Sequence, residues 1–192
     1  MYTFTLFLSL WARILLPLLF PDAATAKERE ITAPVVENIV VDQVTWSMNR
    51  RLSWEDFRGQ PDEKNPHHAL TAANLAVNAN CKNQGFTYQV NCVFLPTESW
   101  TKNKKSQQLL EHEQLHFDLT EVHARLLRKE LQNLNCANLK EKLNATVSRA
   151  FAKWKADQEA FDTASKHGVN AEKERQWAAT IAQRLRALES YK

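Results

Sequence analysis

The sequence predicts an α+β domain in which a small antiparallel sheet is followed by three helices. Val, Ile and Thr cluster between Ile31 and Trp46, and a period-two pattern runs from Leu70 to Leu95. After Pro96 the apolar period becomes that of a helix in three successive stretches, parted near Asn133 to Ala137 and at Gly168.

Taken in order, Val35-Val36 and Ile39-Val40-Val41 are strand material that starts the sheet. Leu52 to Phe57 reads as a short helical turn with Ser53 as its cap, and Arg58 to Asp62 breaks regular structure. A hairpin follows, turning between Asn83 and Thr87. Leu75, Val77, Ala79 and Cys81 share one face of its first strand, and Tyr88, Val90, Cys92 and Phe94 share one face of its second. The first long helix is expected over about 104–131, with positions 109, 112, 116, 119, 123, 126 and 130 on one stripe. The second spans about 138–167, has an apolar stripe of Leu139, Leu143, Val147, Phe151, Trp154 and Phe161, and ends at Gly168 as a left-handed cap. Trp177, Ile181, Leu185 and Leu188 mark the third.

The chain has 192 residues, 44% apolar and 24% charged, which suits one soluble domain with a real core. Its net charge of +3 is spread along the chain, and that excludes nucleic acid as the expected partner, because phosphate binding needs a concentrated basic footprint. Residues 1–26 read as an export signal: an apolar run lies ahead of Ala24-Thr25-Ala26, so cleavage is expected after Ala26. The mature domain is then 27–192, periplasmic or secreted, with no membrane attachment once the signal is removed. An exported chain with three cysteines is expected to form one disulfide. The shared apolar face of the hairpin favours Cys81 with Cys92, in a register set by a loop near Phe86-Thr87, and leaves Cys136 over.

The most informative segment is His112-Glu113-Gln114-Leu115-His116. Two histidines four apart on a helix stand one turn above each other, so both imidazoles can converge on one Zn²⁺. Glu113 between them is placed to take a proton from a water on that metal while the metal polarises a carbonyl. This is the pattern of zincin peptidases, which makes the first long helix the metal helix of a zincin-like fold and a peptide or protein the expected substrate. A catalytic zinc needs a third protein donor. His123 lies about 10 Å further along the helix axis and is expected to pack or hydrogen-bond instead. If the second helix returns antiparallel, its residues 153–162 face the metal; Asp162 falls just within reach, Glu159 points away, and His167 lies past that window but directly before Gly168.

Leu52 to Phe57, Ser99-Trp100, the His112 to Asp118 run, and Phe161 to Gly168 followed by Trp177 together resemble the bacterial domain-of-unknown-function family 922, described as candidate secreted zinc-dependent proteases. The resemblance covers about residues 50–178. It implies that the two-histidine helix works with the Asp162 to Gly168 segment, and it carries over His112, Glu113 and His116. Family members often have Tyr and Thr where this chain has Phe161 and Ser165, so the Phe lacks a hydroxyl available to substrate. Counting and resemblance together rank His167 first as third ligand and Asp162 second, with Asp162 orienting an imidazole if His167 binds.

Other residues are weaker candidates. His67 and His68 sit in a Pro-flanked loop and are expected in solvent. Glu98-Ser99-Trp100 could form the strand above the metal helix, by analogy with zincins, or place Trp100 in the core. Against the hydrolase stands an exported helical binding protein whose metal is structural or absent.

Overall fold

The computed structural model describes residues 42–83 and 85–192. The export segment and the strand expected at Val35 to Val41 lie outside these residues. β3 (Ala73–Lys82) and β4 (Gly85–Phe94) pair antiparallel along their whole length, and β1 (Val44–Thr45) adds to the other edge of β4, giving the order β1-β4-β3. A separate two-stranded ladder joins β2 (Ala69–Leu70) to β5 (Trp100–Thr101). Three helices follow, α1 (Gln107–Leu131), α2 (Leu139–Ser165) and α3 (Ala171–Ala187). The α+β expectation holds. α1 starts later than expected because Ser106 caps it, its side chain accepting the Leu109 N–H at 3.1 Å.

The hairpin register corrects the expected disulfide. Lys82 pairs with Gly85, and Asn83 turns the chain at φ 51°, a left-handed conformation that Asn tolerates. Cys81 therefore faces Phe86 and Cys92 faces Leu75, which puts the two cysteines six ladder positions apart, roughly 20 Å. Cys81 instead bonds Cys136, in the connection between α1 and α2, with Cα atoms 5.7 Å apart. Cys92 is a free thiol in the core, and burial pushes its pKa well above the usual thiol value. The bridge ties the tip of the hairpin, where β3 is exposed, to the helical layer. Closing a 55-residue separation, it is expected to stabilise the fold by about 4 kcal/mol in the chain-entropy view. Cys136→Ser and Cys81→Ser should each lower the urea midpoint by the same amount, and the double variant by no more. Additive losses would mean the two sulfurs are not joined.

α1 is buried on nearly every side, which the expected single stripe does not describe. Phe117, Ala124, Leu127 and Leu131 pack on the sheet with Leu75, Val90 and Phe94, while Leu119 and Val122 pack on the other helices with Phe161 and Ile181. A further face is polar and paired. Gln114 accepts the Leu52 N–H at 2.7 Å, Asp118 accepts the Trp46 indole N–H at 2.8 Å, and the fully buried Arg125 donates to Glu121 at 2.9 Å. The first two bonds clamp the segment from Trp46 to Leu52 onto α1. At the end of β2, the Thr71 hydroxyl donates to the Glu113 carbonyl at 3.2 Å and ties that strand to the helix carrying the two histidines. No helix among the described residues is long and apolar enough to cross a membrane.

Candidate metal centre

Because α2 runs back beside α1, its Gln158 and Asp162 stand opposite His116 and His112. Three donor atoms meet there. His112 Nε2 and His116 Nε2 are 3.1 Å apart, and Asp162 Oδ1 lies 3.0 Å from His116 Nε2 and 3.2 Å from His112 Nε2. Tetrahedral zinc, with bonds of about 2.0–2.1 Å, spaces its ligands about 3.3 Å apart. The triangle is within a few tenths of an ångström of that spacing, so the donor set fits a cation held by two imidazoles and one carboxylate.

Each imidazole is fixed from behind. His112 Nδ1 is 2.9 Å from Glu174 Oε1 on α3, and His116 Nδ1 is 2.6 Å from Gln158 Oε1. Both partners are acceptors, which assigns the proton to Nδ1 and turns the Nε2 lone pairs toward Asp162. Gln158 is held in turn, its amide donating to the His116 carbonyl and to Thr120 Oγ1, both at 3.0 Å. Phe161, fully buried, forms the floor, its ring 4.8 Å from His112 and 4.9 Å from His116. It packs against the imidazoles and is not part of the cleft lining, contrary to the expectation from its missing hydroxyl.

The electrostatics favour positive charge at this point. Burial opposes a proton on His112, but the Asp162 and Glu174 carboxylates that would accept its hydrogen bonds, with the nearby charge of Glu113, outweigh it and push the pKa up to about 9. Burial likewise opposes charge on Asp162, yet its bonds to His112 and His116 hold the carboxyl far below the usual range. The arrangement that raises one pKa and lowers the other is what a divalent cation would find there.

The two third-donor candidates are placed differently from the expected order. Asp162 completes the trio and His167 stays outside it, with Nδ1 3.3 Å from Asp162 Oδ1 and half of its side chain exposed. The turn after α2 explains this. Lys166 caps the helix in the left-handed region, His167 keeps it at φ 52°, and only then comes Gly168 at φ 82°. Three successive left-handed residues lift His167 over the metal face rather than into it. Gly168 is needed for another reason, since a Cβ there would stand 3.2 Å from the His112 ring.

Glu113 is 97% buried yet lines the cleft beside the trio, and its carboxylate takes no hydrogen bond from the described residues. The cleft itself encloses about 830 Å³ between α1, α2 and the stretch from Pro66 to Ala73. That stretch, not Glu98 to Trp100, forms the wall above the helix: Ser99 and Trp100 are buried behind it, with β5 paired to β2. His67, half-buried, and His68, exposed as expected, both line the cleft, and the His67 ring packs on His167 at 4.5 Å. His123 takes the structural role expected, buried with Nε2 2.9 Å from Asp157 Oδ2. Gln158 and Glu174 were missed. Gln158 lies one turn before Asp162 on the same face, a signal that the sequence offers; Glu174 offers none, because only the docking of α3 brings it to His112.

A family model described as "Bacterial protein of unknown function (DUF922)" matches residues 44–168. No curated protein and no solved structure matches the chain.

Proposed function

For this chain, which belongs to the bacterial family of unknown function DUF922, we propose the function of an exported zinc-dependent peptidase, with the metal held by His112, His116 and Asp162. The observation that carries the reading is the triangle of donor atoms with both Nδ1 positions already engaged, next to a cleft-facing carboxylate. Bound zinc supplies a Lewis acid that acidifies water and polarises a substrate carbonyl. This chain's residues do the rest. Glu113, one position after His112 and without a hydrogen bond to its carboxylate among the described residues, takes the proton from the attacking water and returns it to the departing amine. Phe161 and the close packing around it keep the trio in a low-dielectric wall, where charge interactions are strong. The lining of the cleft runs along α2 from Phe151 to Asp162, about 16 Å of helix, the span of roughly five residues of extended chain. The disulfide supports export to an oxidising compartment.

Metal analysis tests the reading directly. The purified protein is expected to hold one zinc per chain, to lose peptide hydrolysis on chelation, and to regain it on adding zinc. Hydrolysis that survives complete metal removal would overturn the assignment.

A further inference from the structure

Among the described residues the exposed large hydrophobics are Met48, Leu70 and Val169, and two of these three line the same cleft. Leu70, 44% exposed, stands on β2, and Val169, 76% exposed, follows the left-handed turn after α2. Single exposed hydrophobics are ordinary, whereas two that line one cleft, as its apolar lips, leave that cleft with apolar surface open to water. Further along, Phe151 and Trp154 of α2 form an aromatic wall, their rings edge-on at 5.7 Å and 88°. That wall is rigid with respect to the metal ligands. The Trp154 indole donates to Thr120 Oγ1 at 3.1 Å, and the same hydroxyl receives the Gln158 amide that holds His116.

The charges on the cleft have one sign once the centre is filled. Glu113 and Asp162 are the acids of its lining, and both belong to the metal chemistry; Lys155 and Lys166 remain, the former with Glu159 3.9 Å away but outside the cleft. Eleven helical positions separate the two lysines, about 16 Å, which is the span of roughly five residues of extended chain. β2, two residues long, is paired among the described residues to β5 alone, so roughly 7 Å of extended backbone borders the cleft there.

We infer that the cleft selects an extended peptide segment of about five residues that is rich in bulky apolar side chains and free of Lys and Arg. The inference rests on the peptidase reading and names its substrate class. Apolar side chains would cover the lips and the aromatic wall, while a basic side chain would lie between two lysines and gain no acidic partner.

The test is binding to the zinc-loaded Glu113→Gln protein, read by fluorescence polarisation with two labelled hexapeptides, one of leucine and alanine and one of lysine and alanine. The leucine peptide is expected to bind at least roughly tenfold more tightly, the scale of one well-buried aliphatic side chain. Val169→Lys and Phe151→Ala, each with its zinc content and unfolding midpoint checked, should each weaken it severalfold. Equal affinities, or tighter binding of the lysine peptide, would overturn the inference. The two readings fail separately. Leucine-peptide binding without cleavage by the wild-type protein leaves the selectivity standing and removes the peptidase, whereas cleavage confined to lysine-flanked bonds does the reverse.

Discussion

Glu113→Gln is expected to lower peptide hydrolysis by about 10²–10⁴-fold while leaving one zinc per chain, the range associated with loss of a general base. The variant keeps the size and shape of the side chain and removes its basicity. Glu113 is not one of the three converging donors, and its carboxylate makes no hydrogen bond within the described structure, so the variant keeps the donor set and the packing around it. Measuring kcat and zinc content on the same preparation checks both halves of the expectation. Unchanged hydrolysis would remove Glu113 from the mechanism, and with it the reason for reading the motif as catalytic.

The second large effect separates Asp162 from His167. Asp162→Ala removes the oxygen that stands 3.0 and 3.2 Å from the two Nε2 atoms, and zinc affinity, read by competition with a chelator, is expected to fall by more than about 100-fold. His167→Ala removes a half-exposed ring that touches Asp162 and stacks on His67, and should change zinc affinity by less than about tenfold. The opposite order would make His167 the ligand and Asp162 its support. Neither residue is part of the hydrophobic core, so both variants should remain folded.

Local pattern and tertiary docking contributed differently to the fold. Period-two alternation identified the hairpin and its apolar face, because in a strand alternate side chains share a side whatever the register. It did not identify the partner of Cys81. A one-residue choice in the turn, settled by Asn83, slides every cross-strand pair, and Cys136 is brought near only by the connection between α1 and α2. The stripe on α1 likewise marked the metal face but missed the other buried sides, since a central helix buries polar residues wherever partners such as Glu121 and Arg125 satisfy one another.

By itself the sequence determined that His112, Glu113 and His116 share one region of a helix, for four residues of helix return a side chain to nearly the same direction. It also narrowed the third donor to Asp162 or His167, through an antiparallel return that a short connection enforces. Tertiary structure alone set Asp162 beside the two imidazoles and His167 outside their group, because three left-handed residues after α2 turn the chain. It alone brought Glu174 and the stretch from Pro66 to Ala73 to the site. Those residues are remote in sequence, and their meeting depends on how whole elements pack rather than on any local repeat.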